Sequence, residues 1–300
     1  MHPVTVDELR IAAAETYDVL VRPGGQEAYT VFAQDAARTG YASGTLALRH
    51  GLRAPVPPLD PRPMLTMADM GMLHGVAGQG GAHAAEHAST DAQDPSHAAH
   101  DGHNGGDAMQ GQQQAQGGAH AAAATPAPNH PASERGNPLV DHQTMAPASR
   151  LDDPGTGLRD NGRTVLTYAM LHSAFEDPDG RDPGREIELH LTGHMEKFAW
   201  SFDGIRFGSS EPLRLRYGER LRIVLVNDTM MSHPIHLHGM WSDVENDAGH
   251  FQVRKHTVDM PPGSRRSYRV RADALGSWAY HCHLLYHMEA GMMRTVKVEE

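Results

Sequence analysis

The chain has a single cysteine, and it lies among residues able to hold a metal: His281-Cys282-His283, then His287, then Met292. The spacing Cys-x4-His-x4-Met brings a thiolate, an imidazole and a thioether within one short stretch. A second histidine-rich stretch, His233-Pro234-Ile235-His236-Leu237-His238-Gly239, lies about fifty residues upstream. A thiolate, two imidazoles and a weak axial thioether form the ligand set of a blue-copper electron-transfer site. Structural zinc takes four ligands from paired Cys and His spacings, which suits one cysteine among six histidines poorly. A lone cysteine is commonly a small buried hydrophobe; two flanking histidines and further ligands at fixed spacing argue for metal here.

Strand geometry divides these residues between two centres. Gly276-Ser277-Trp278-Ala279-Tyr280 carries aromatic residues behind a glycine and predicts a strand running into the cysteine. Side chains alternate faces with a period of two, so His281 and His283 point one way and Cys282 the other. His236 and His238 share a face of their own segment, which Pro234 holds extended. His233 is then assigned to the Cys282 centre, with His287 and Met292. His236 and His238 join His281 and His283 in a second centre, reached from Cys282 through a few covalent bonds.

Both stretches, HPIHLHGM and HCHLLYHMEAGM, resemble the multicopper oxidases, most of all their copper-resistance members. The similarity extends through Leu189–Gly193, Trp200–Gly204 and the N-terminal block. It implies that His233, Cys282, His287 and Met292 bind type 1 copper, His236 the type 2 copper, and His238, His281 and His283 the type 3 pair. Cys282, His281 and His283 would carry electrons between them. The implied reaction couples one-electron oxidation of a donor, Cu(I) or a phenol, to reduction of dioxygen to water, in the periplasm. In the family two further His-x-His motifs from a first domain complete the oxygen site; this chain has His-x-His only at His236/His238 and His281/His283. The expectation is therefore a complete type 1 site and half of the trinuclear one, with the missing cupredoxin domains or a second chain as partner. A copper-binding, electron-transfer or copper-sequestering protein without oxidase activity is the alternative. Where many relatives carry a proton-relaying carboxylate after the second type 1 histidine, this chain has Met288, then Glu289. Met230, Met231, Met240, Met288 and Met293 could form a soft entry route for copper, although core packing is the commoner use of methionine.

The elements that must hold these ligands read as β-structure. Glu186–Leu191, Leu213–Tyr217, Leu221–Val226, Ser267–Arg271 and Thr295–Val298 alternate or run apolar at strand length, with Thr164–Tyr168 as a further candidate. Seven or eight short strands and little helix signal predict a β-sandwich over 161–300; the resemblance makes it a Greek-key cupredoxin domain. Residues 1–53 contain three β-prone runs, Thr16–Val21, Ala28–Ala33 and Thr45–Leu48. They are too few to bury a core of their own, so they should pack on the later domain or a missing neighbour. The resemblance makes them the closing strands of a preceding cupredoxin domain.

Residues 54–160 read as a linker. Pro55–Pro63 is proline-rich and extended, and the tract that follows is rich in Gly, Ala, Gln and His with almost no β-branched or aromatic residues, which predicts disorder. Its histidines, among them His74, His83, His87, His97, His100, His103 and His120, are either solvated spacers or weak copper collectors. Isolated histidines elsewhere (His172, His190, His194, His250, His256) read as surface or core residues. The formal charge of −11 excludes a nucleic-acid partner, which needs a basic surface. One cysteine excludes an internal disulfide. No apolar run is long enough to span a membrane, and the first residues lack the basic and apolar regions of a signal peptide.

Overall fold

The computed structural model describes residues 1–72 and 128–300. The disorder expected after Met72, and the histidines from His74 to His120, lie outside those residues. In chain order the strands are β1 (Glu8–Leu9), β2 (Ala28–Gln34), β3 (Tyr41–Ala47), β4 (Val165–Leu166), β5 (Glu186–His194), β6 (Ala199–Phe202), β7 (Leu213–Arg216) and β8 (Arg220–Asn227). They continue as β9 (His233–Leu237), β10 (Ser242–Glu245), β11 (Phe251–Lys255), β12 (Thr257–Met260), β13 (Arg265–Arg271), β14 (Gly276–Cys282) and β15 (Met293–Glu299). The one α-helix among the described residues is α1 (Leu285–Glu289).

The β-sandwich expected in the C-terminal part is present. One sheet has the order β11-β10-β13-β8-β5-β6 and the other β12-β9-β14-β15-β7. The run Leu221–Val226, apolar except for Arg222, becomes β8, flanked by β13 and β5 and buried along almost its whole length; a strand covered on both faces reads as a nearly continuous apolar stretch. β15 shows the opposite pattern, with Arg294, Val296 and Val298 inward and the residues between them half-exposed. Both sheets feed one core: Phe202 from the first stacks on Tyr280 from the second with ring centroids 5.5 Å apart, and Leu191, Leu221, Ile223, Leu225, Ile235 and Leu237 are fully buried around them.

Three sequence expectations need correction. Thr16–Val21 is not a strand; no partner strand lies beside it among the described residues, and Val19, Leu20 and Val21 stay exposed. Thr164–Tyr168 yields only the two residues of β4 before a 3₁₀ turn at Tyr168–Met170. Packed structure resumes by residue 128 rather than near Thr164. Leu151 and Leu158 are buried, Ala148 bridges to Ser264, and Arg150 donates to the carbonyls of Asp69 and Pro262.

The N-terminal segment docks on the sandwich as the lack of an independent core requires. β1 pairs in parallel with β4, Arg10 meets the buried Asp259 at 2.9 Å, and Glu15 meets the buried Lys255 at 3.0 Å. β2 and β3 form a separate two-stranded hairpin.

Candidate metal centre

β9 and β14 are antiparallel neighbours in register, with His281 opposite His236 and Cys282 opposite Ile235. Parity decides where each ligand points. His233, Ile235 and Leu237 face the core and are buried, whereas His236 and His238 face outward. Along β14 the same alternation places Cys282 inward and His281 with the outward set; β14 ends at Cys282, and His283 follows it, anchored by its N–H to the carbonyl of Pro234 at 2.7 Å.

On the core side His233 Nδ1 lies 3.6 Å from Cys282 Sγ, His287 Nδ1 lies 4.0 Å from the same sulfur, and the two nitrogens are 3.1 Å apart. All three residues are buried, as is Met292. His287 comes from α1, which the sequence reading missed: five residues are too few for a visible helical period. The helix turns the chain back over Cys282, and the backbone then closes on itself, with Met292 donating to the His287 carbonyl and accepting from the Cys282 N–H. Gly291 makes this return possible. Its φ is +127°, and a β-carbon there would come within 2.7 Å of the Trp200 carbonyl, a conformation and a clearance only glycine tolerates.

Two supporting residues had no sequence signal. Thr229 Oγ1 lies 2.7 Å from His233 Nε2. The hydroxyl has the Asn227 Oδ1 acceptor at 2.9 Å, so the ring donates from Nε2 and keeps a lone pair on Nδ1, toward the sulfur. Trp200 lies against His287 with ring centroids 4.0 Å apart. Burial pushes the Cys282 thiol up to about 12 and His287 down to about 4. Two neutral imidazole nitrogens and a thiol sealed from water release the thiol proton only to a cation, and a soft thiophilic one fits best. This donor set fits copper.

On the outer side four imidazoles gather. His238 Nε2 and His281 Nε2 are 3.0 Å apart, and ring centroids separate His236 from His238 by 4.6 Å, His236 from His283 by 5.8 Å and His281 from His283 by 5.3 Å. His238 and His283 are exposed. His236 Nδ1 bonds the His256 carbonyl at 2.6 Å, which fixes its tautomer with Nε2 free. His256, read from sequence as an isolated residue, thereby positions this cluster. Gly239 ends the motif with φ +78°; a β-carbon there would strike the Trp278 ring at 2.4 Å, so the indole packs directly on the turn after His238.

His190, read from sequence as an isolated surface or core residue, is not isolated. It is buried beside Asp228, and with His130 and Glu134 it forms a second group of four potential ligands. Of the methionines near the motifs, Met240 is buried and Met230 exposed.

Residues 180–300 match the family model described as multicopper oxidase. The whole chain is 61% identical to copper resistance protein A of Escherichia coli over 319 aligned positions, and 68% identical to copper resistance protein A of Pseudomonas syringae pv. tomato over 310. Residues 180–300 thus resemble a multicopper oxidase domain. The chain spans about half the length of these relatives, 50% and 51%. The sulfur-containing group of His233, Cys282 and His287 lies inside the matched segment. Among the described residues no helix is long and apolar enough to cross a membrane.

Proposed function

We propose that the chain is the part of a copper-resistance multicopper oxidase that accepts electrons and passes them toward dioxygen. In this reading His233, Cys282, His287 and Met292 hold type 1 copper, His236 holds part of the type 2 site, and His238, His281 and His283 hold part of the type 3 pair. One observation carries it. Cys282 sends its sulfur into a buried pocket with His233 and His287, while the adjoining His281 belongs to the outer imidazole cluster. Bound copper would supply one-electron redox chemistry on the core side and oxygen reduction on the outer side.

The chain's own residues then have definite tasks. Cys282 links the two groups, since unbroken covalent bonds join its sulfur to the rings of His281 and His283. Trp200 and Phe198 pack on His287 and limit water. Thr229 and the His256 carbonyl orient His233 and His236. The exposure of His238 and His283 suits a cluster completed by four histidines from domains outside this chain or from a partner chain. Cu(I) or a phenol is the proposed donor and the periplasm the proposed location, following the relatives named for copper resistance.

The test is to load the full chain with copper and record its visible spectrum and its oxygen uptake with cuprous and phenolic donors. An intense blue band that Cys282→Ser removes is the expected result; a colourless copper-loaded protein overturns the reading. A blue band without oxygen uptake would identify the runner-up, a copper-binding electron-transfer module, which the exposed half-cluster favours for the chain by itself.

A further inference from the structure

The group His130, Glu134, His190 and Asp228 lies apart from the cysteine and outer histidine clusters, and its geometry points to a ligand. His130 Nδ1 is 3.0 Å from Glu134 Oε2 and 3.5 Å from Asp228 Oδ2; His190 Nδ1 is 2.7 Å from Asp228 Oδ2 and 3.8 Å from Glu134 Oε1. Three of the side chains are fully or almost fully buried, and His130 is 17% exposed.

The surrounding hydrogen bonds orient all four groups inward. His130 Nε2 donates to the Thr144 carbonyl at 3.1 Å, an atom that can only accept. His190 Nε2 faces Glu188 Oε1 at 3.4 Å. Each imidazole is therefore held from behind by an oxygen, with Nδ1 toward the centre, as in histidine ligands whose outer nitrogen is bound by a carboxylate or carbonyl. The carboxylates are braced in the same way, Glu134 by Gln143 Nε2 at 2.8 Å and Asp228 by the Thr144 N–H at 2.8 Å. Glu134 Oε1 has no hydrogen-bond partner at all although it is buried. An uncompensated carboxylate oxygen in a protein interior is costly. Without metal the two carboxylates draw protons into this closed space, and a divalent cation coordinated by all four groups would take their place. Two nitrogens and two oxygens are a normal donor set for zinc at bond lengths of about 2.1 Å. For bonds of that length, tetrahedral donors stand about 3.4 Å apart, close to the two longer separations here.

We propose that His130, Glu134, His190 and Asp228 bind a divalent first-row transition cation, a structural metal site distinct from the sulfur-containing centre. It would clamp the segment around residues 130–144 to β5 and to the end of β8. The rival occupant is protons, drawn chiefly by the Asp228 hydrogen bond that lifts His130 to about 9.

The probe is Zn²⁺, added to the metal-free full chain and to its Glu134→Gln and His130→Gln variants. Zinc retained against a competing chelator is measured together with thermal unfolding. All three proteins share the tract histidines and the cysteine site, so those contributions cancel. A metal site predicts at least tenfold weaker retention of one zinc in each variant, and a zinc-induced rise in Tm that the variants lose. His130→Gln alters the one partly exposed ligand, so it provides the comparison if Glu134→Gln fails to fold. Equal zinc retention and equal Tm shifts in wild type and variants would show that protons fill the site, and would overturn the proposal.

Discussion

Trp200 and His287 are stacked, their ring centroids 4.0 Å apart and their planes inclined by 19°. Trp200 comes from β6 in one sheet, whereas His287 rides on the short helix after β14 in the other, so the contact fixes a ligand across the sandwich. Trp200 is 1% exposed. Trp200→Ala should lower stability by about 4 kcal/mol through cavity formation, measurable by chemical denaturation. It should also weaken and shift the blue band of the copper-loaded protein, which Trp200→Phe should largely restore.

Cys282→Ser separates the two ligand groups. Serine keeps the size of the side chain but lacks the thiolate that copper requires at neutral pH. The visible band should vanish while copper bound by His236, His238, His281 and His283 remains detectable by electron paramagnetic resonance. Loss of both together would show that the outer cluster depends on the sulfur.

The metal-free protein should be acid-labile in a defined window. Burial lowers His287 from 6.5 to about 4 and also holds His233 well below its ordinary value. A histidine depressed by folding binds fewer protons in the native state than in the unfolded chain, so stability falls as pH drops from 6.5 toward 4. For His287 alone the loss approaches about 3 kcal/mol. Unfolding temperatures measured between pH 7.5 and 4.5 should decline steadily, and His287→Gln should flatten the curve.

Glu15 tests the docking of the N-terminal segment. It is 7% exposed, 3.0 Å from Lys255 Nζ and hydrogen-bonded by the Tyr168 hydroxyl. Removing one partner of a buried pair strands the other, so Glu15→Ala should cost about 3–5 kcal/mol. An unchanged denaturation midpoint would mean that the segment contributes nothing to the sandwich.

The parity of side chains in two extended segments was legible in the sequence, and it sorted His233 and Cys282 from His236, His238 and His281. The strands at Glu186–Leu191, Leu221–Val226 and Thr295–Val298 were legible for the same reason. The fourfold group around His190 was not. His130, Glu134, His190 and Asp228 come from three distant stretches, two of them unremarkable in composition, and only the fold brings them together. α1 was too short to show a period. Thr16–Val21 has the residues of a strand but, among the described residues, no neighbour to pair with, and local propensity does not supply one.

The backbone near Met70 and Gly71 is tied to the stretch from His142 to Ala146. Met145 and Ala146 donate to the Gly71 carbonyl, and Thr144 Oγ1 bonds the carbonyls of both Met70 and Gly71. The described stretches on the two sides of residues 73–127 thus meet at one hydrogen-bonded junction. That junction uses no residue of β9 or β14, so the ladder that carries the ligands does not depend on it.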